Sequence, residues 1–93
     1  MNAESVLHVD GDIDFWTAPD WRLLIEDRLS EQPASLVLDL GRVKFMDSSG
    51  LSMLITARAT CTAQSTTLLI RNSSAPVLRL FELTGIDHLF KLM

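Results

Sequence analysis

The fifteen residues from Val37 to Leu51 constrain this chain more than any other stretch. Val37-Leu-Asp-Leu40 is a short apolar run of the kind that forms a buried strand. Gly41 interrupts it, and a brief connection ends at Phe45-Met46. Asp47-Ser-Ser-Gly50 follows, and its oxygens suit the start of a helix, where they accept hydrogen bonds from unpaired backbone N–H groups. The helix is expected over Ser49 to Thr62, with Leu51, Leu54, Ile55 and Ala59 on one face. Two hydroxyls and a carboxylate therefore stand where a helix begins. The positive end of the helix dipole favours a phosphate there.

The rest of the chain repeats this alternation. Ser5 to Val9 reads as a strand, with His8 facing outward. Asp10-Gly-Asp-Ile-Asp14 reads as a solvated acidic turn. A helix follows over Ala18 to Ser30, with Pro19 in its first turn and Trp21, Leu24, Ile25 and Leu29 as its apolar stripe. Ser35 to Asp39 carries the central strand and Thr67 to Arg71 the next. Ser74 stands at the cap of a third helix, whose inner face is Val77, Leu80, Phe81 and Thr84, and Gly85 stops it. Leu89 to Leu92 can form a last short strand. Strands alternating with helices imply an α/β domain with a largely parallel sheet.

Composition narrows the function classes. Ninety-three residues make one domain. No apolar run approaches the roughly 18 residues of a membrane span, and the first residues lack the pattern of a signal peptide. One cysteine, Cys61, allows no internal disulfide, as expected of a reducing cytoplasm; it reads as a small buried hydrophobe. Net charge is −4 and the eight Lys and Arg are scattered, which argues against a nucleic-acid partner. No second His or Cys stands at metal-ligand spacing, so neither metal nor cofactor is expected.

The enzyme readings fail on spacing. A nucleophile elbow needs Gly-x-Ser-x-Gly, and no glycine precedes Ser48 or Ser49 at that distance. A Ser–His–Asp set would draw on His8 or His88, without an identifiable oxyanion hole. Counted from Asp10 as a calcium loop, the obligatory Gly and Glu positions hold Phe15 and Trp21. Asp10-x-Asp12 also resembles the first motif of haloacid-dehalogenase-type phosphotransferases, but their later Lys and acidic pair are missing. Trp16, in the loop beside the acidic residues, is a candidate anchor for a protein partner.

Taken together, these segments resemble the STAS domain, and within it the anti-sigma factor antagonists of bacteria. Phe45-Met-Asp-Ser-Ser-Gly-Leu51 after its strand is similar to the family signature. Gly11-Asp-Ile-Asp14 is similar to the segment before the first helix. Ala75-Pro-Val-Leu-Arg-Leu-Phe-Glu-Leu-Thr-Gly-Ile-Asp87 is similar to the third helix and its turn. The resemblance implies one STAS domain over residues 1–93, a mostly parallel, mixed sheet of about four strands with three to four helices. It implies a binding protein, not an enzyme, that binds an anti-sigma factor acting as a serine kinase and so frees a sigma factor for transcription. The kinase would phosphorylate Ser48, the residue after the Asp, with Ser49 as the alternative, and a PP2C-type phosphatase would reverse it. Partner contacts would come from Asp14, Trp16, Asp47, Ser48, Ser49, Gly50 and Leu51. The alternative is an unphosphorylated STAS scaffold or ligand-sensing module in a larger assembly. The family's additional N-terminal strand and C-terminal helix look shortened or absent, which would leave a sheet edge free and invite a homodimer.

Overall fold

In the computed structural model, which describes residues 3–92, four strands run in chain order across one sheet. They are β1 (Glu4–Ile13), β2 (Ser35–Met46), β3 (Thr67–Arg71) and β4 (Lys91–Leu92). All three pairings are parallel, so no antiparallel strand is mixed in among the described residues. Helices α1 (Ala18–Ser30), α2 (Ser48–Ala63) and α3 (Ala75–Thr84) make the crossovers, and a 3-10 turn, Asp87–Leu89, leads into β4. Because successive strands are neighbours and such crossovers are right-handed, the three helices share one face of the sheet.

The core follows from that placement. Leu7 and Val9 of β1, Leu36, Leu38 and Leu40 of β2 and Ile70 of β3 point toward the helices. They pack with Ile25, Leu29, Leu54, Cys61, Val77 and Phe81 in one cluster. Strand periodicity sends the residues between them to the opposite face, where Val6, Val37 and Leu69 stand in register, followed by His8, Asp39 and Arg71. His8 is exposed, as expected, with Nδ1 3.5 Å from Asp39. Beneath the helices' far ends, the buried Thr66 hydroxyl donates to the Pro33 carbonyl, 2.8 Å away, and accepts from Gln64.

Several local expectations are corrected. The acidic residues Asp10 to Asp14 do not form a turn: β1 continues through Asp12-Ile13. Likewise β2 does not stop at Gly41 but runs to Met46. Two slips of register, between His8 and Asp10 and between Gly11 and Asp12, let the strands carry their breakers; Gly11 takes φ +74°. On α2 the buried side is Leu51, Met53, Leu54, Ala57 and Cys61, while Ile55 and Ala59 are exposed. Leu24 and Thr84 are exposed, and Trp21 is half-buried at the rim of the core. Ser74 occupies the cap position of α3, but its hydroxyl makes no capping bond. Among the described residues the last strand is Lys91–Leu92, and Leu89 belongs instead to the 3-10 turn before it.

Candidate functional site

The C-terminal ends of β1 and β2 deliver the chain to the first turns of α1 and α2, side by side. At α2, Asp47 is the N-cap in extended conformation, and its Oδ1 accepts from the Ser49 N–H at 2.8 Å. The Asp47 carbonyl accepts from Gly50 and Leu51, and its own N–H donates to the Ile13 carbonyl, fixing the helix mouth to the end of β1. Ser48 is the first helical residue and is exposed; Ser49 is half-buried.

Gly50 is buried because the first turn of α2 lies directly on the sheet. A Cβ there would overlap the Met46 side chain and meet Ile13 Cγ2 at 3.1 Å. Leu51 is also buried, in the core. These two of the expected contact residues therefore face inward, where they set the depth of the helix mouth, and the accessible surface belongs to their neighbours.

The loop before α1 is built as a rigid platform. Asp14 Oδ1 accepts from the N–H groups of Trp16 and Thr17 at 2.9 and 3.1 Å. The Thr17 hydroxyl donates to the Asp12 carbonyl at 2.6 Å and accepts from the Asp14 N–H at 3.0 Å. Asp14 is thus spent on its own loop, which holds Phe15 and Trp16 outward, 70% and 82% exposed, with rings packed edge to face at 5.6 Å. Two large aromatic rings in water are a cost that a partner's surface would remove.

Those rings border a groove of about 730 Å³ between α1 and α2. Ala18, Pro19 and Leu23 form one wall, Ser49, Ser52, Met53 and Thr56 the other, and the Arg22–Glu26 ion pair (3.2 Å) closes its far end. The structure brings Trp16 and Ser49 to the same groove, with Ser48 beside it. Sequence reasoning missed Phe15 and Leu23; Thr17 stands at the expected cap of α1, but its hydroxyl bonds back into the loop and not to the helix. Leu23, off the apolar stripe of α1, carried a visible signal, and so did the Asp-x-x-Thr spacing of Asp14 and Thr17.

Away from the groove, Asp39 and Cys61 are shifted by their surroundings. Asp39 is held below the usual carboxylate range chiefly by the Gly41 N–H (3.0 Å), helped by Asn72, His8 and Arg71 and opposed by its partial burial. Burial pushes the Cys61 thiol up. Among the described residues no group of His, Cys, Asp or Glu is placed to hold a metal, and no helix is long and apolar enough to cross a membrane.

A parallel four-stranded sheet with its helices on one face, and a capped helix mouth with a serine beside exposed aromatic rings, defines a small α/β domain. The chain belongs to the STAS domain family, which matches residues 2–93. It is 30% identical over 86 residues to an anti-sigma-B factor antagonist of Listeria monocytogenes, covering 92% of this chain and 75% of the relative. Among solved structures, an anti-sigma factor antagonist from Mycobacterium paratuberculosis superposes with a TM-score of 0.80 at 31% identity, covering 99% of this chain and 78% of that one. The anti-sigma factor antagonist SpoIIAA in its unphosphorylated form shares the fold, with a TM-score of 0.81 at 19% identity, over 100% of this chain and 82% of that one.

Proposed function

We propose that this chain is a cytoplasmic anti-sigma factor antagonist: a binding protein without catalytic activity of its own, which captures an anti-sigma factor and releases a sigma factor for transcription. The antagonist names of its relatives support the class of partner. The observation that carries the switch is the exposure of Ser48 at the first position of α2, beside the Asp47 cap and the aromatic groove. In this reading Trp16, Ser48 and Ser49 touch the partner, Asp14 and Asp47 hold them in place, and Gly50 and Leu51 support the mouth from beneath.

The anti-sigma factor is itself the serine kinase that phosphorylates Ser48, and a PP2C-type phosphatase restores the free hydroxyl. Ser48 is favoured over Ser49 because Ser48 is exposed and Ser49 is half-buried. A phosphate adds a charge of about −1.5 to −2, which the helix mouth tolerates. Docking does not tolerate it, because the dianion lies next to the Asp47 carboxylate on a surface that must lose its water. A like-charge penalty of about 2–4 kcal/mol after screening lowers affinity more than tenfold. Neither nucleic acid nor a membrane is a partner in this reading.

The test is incubation of the chain with ATP and the anti-sigma kinase of its own organism. One phosphate on Ser48, absent in Ser48→Ala, is the expected result. A partner that binds but adds no phosphate would favour the scaffold alternative. Ser48→Asp should weaken anti-sigma binding at least tenfold; binding as tight as wild type would show that charge is not the switch.

A further inference from the structure

Among the described residues β1 pairs only with β2, so its other edge has no strand beside it. Such an edge presents peptide groups on which a second chain can build. The C-terminal half of β1 is unsuited to that, because Gly11 at φ +74° breaks its extended backbone, beside two register slips whose extra residues lie in β2. From Glu4 to His8 the pairing is unbroken.

One side chain covers this regular part. At 100° per residue, Arg28 stands on the flank of α1 away from α2, opposite the groove-lining Arg22 and Glu26. It reaches over the margin of the sheet, and its Nη1 donates to the Val6 carbonyl at 2.7 Å and to Ser5 Oγ at 3.2 Å. It has no carboxylate partner among the described residues. We infer that Arg28 is an edge guard: by occupying the Val6 carbonyl, it keeps two copies of this chain from pairing through antiparallel β1 strands.

The occupant it excludes is a second copy because the edge is complementary to itself. A two-fold antiparallel pairing centred on Val6 sets Val6 against its counterpart, Glu4 against His8 and Ser5 against Leu7. An imidazole N–H opposite a carboxylate can donate to it, and two valines opposite each other bury apolar surface. The contact closes on itself, giving a dimer rather than a fibre. In that dimer the Val6 carbonyl would accept from the partner copy's backbone, so the guanidinium must first leave, giving up a charge-assisted bond. The homodimer expected from a free edge is thereby made conditional on one side chain.

Sedimentation velocity on the whole 93-residue chain tests this, from micromolar to about millimolar concentration. Wild type should remain a 10.4 kDa monomer. Arg28→Met keeps the aliphatic stem and removes the donors; Arg28→Gln shortens the reach. Both should show mass rising with concentration toward the dimer. Adding Val6→Pro, which edge strands tolerate, to Arg28→Met should restore the monomer by removing the edge N–H. The inference is overturned by a dimeric wild type, by folded Arg28 variants that stay monomeric throughout, or by a dimer that survives Val6→Pro. Should neither Arg28 variant fold, amide exchange on wild type decides: open Val6 and His8 amides support the guard, and protected ones overturn it.

Discussion

Between Asp47 and Gly50 each residue has one task, and substitutions should separate the tasks. Asp47 supplies the cap through Oδ1, so Asp47→Ala should cost about 1 kcal/mol of stability, read as a lower urea midpoint at unchanged slope. Gly50 supplies closeness. With Met46 and Ile13 beneath it, Gly50→Ala must push α2 outward or displace both side chains. A loss of about 1–3 kcal/mol is expected, and a variant as stable as wild type would show that the Met46 side chain rotates aside freely. Ser48, exposed one position past the cap, should tolerate Ser48→Ala within about 0.5 kcal/mol. A large loss there would mean that the hydroxyl holds the fold together.

The elements that position these residues depend on bonds between side chain and backbone. In the loop from Asp14 to Thr17, Thr17→Val removes the bond to the Asp12 carbonyl and the acceptor for the Asp14 N–H. Trp16 should then reorient faster, lowering its fluorescence anisotropy (read with Trp21→Phe as common background), while helix content stays unchanged. Across the sheet, Asp39 joins β2 to Arg71 and Asn72 at the end of β3. Its folded-state pKa lies below the ordinary value of 3.8. Its contribution is therefore complete above about pH 4–5 and lost as pH falls through the folded pKa. Thermal melts should show wild type losing stability on acidification below pH 4, and Asp39→Asn losing less over the same interval. The same bonds explain where the sequence was legible. The alternation of strand and helix, a helix start within Asp47-Ser-Ser-Gly50 and the stop at Gly85 are local and were readable, although α2 begins at Ser48 with Asp47 as its cap, one residue before the expected Ser49. The extension of both strands through Gly11 and Gly41 was not, because it depends on register with a neighbour and on the Asp39–Gly41 bond. Likewise Ile55 and Met53 of α2 were exchanged between faces, since the direction of the sheet beneath a helix is a tertiary fact that period 3.6 alone leaves open.

At the scale of the molecule, the proposed switch places its charge at one end of a body with a Cα radius of gyration of 12.2 Å. The core cluster lies under the helices, and Ser48 is outside it. Phosphorylation takes the net charge from −4 to about −6, but the new charge meets the positive end of α2 on one side and the Asp47 carboxylate on the other. Attraction and repulsion of similar size, both partly screened by water, leave little net force on the fold. Phosphorylated protein should therefore scatter X-rays with the same radius of gyration as the free form, and its urea midpoint should shift by less than about 1 kcal/mol equivalent, while partner affinity falls more than tenfold. The two readouts separate the mechanisms. Lost affinity with an unchanged body places the switch at the docking surface. Lost affinity together with an expanded or destabilised body would mean that the phosphate acts by loosening the first turn of α2, where Gly50 leaves no slack for it to move.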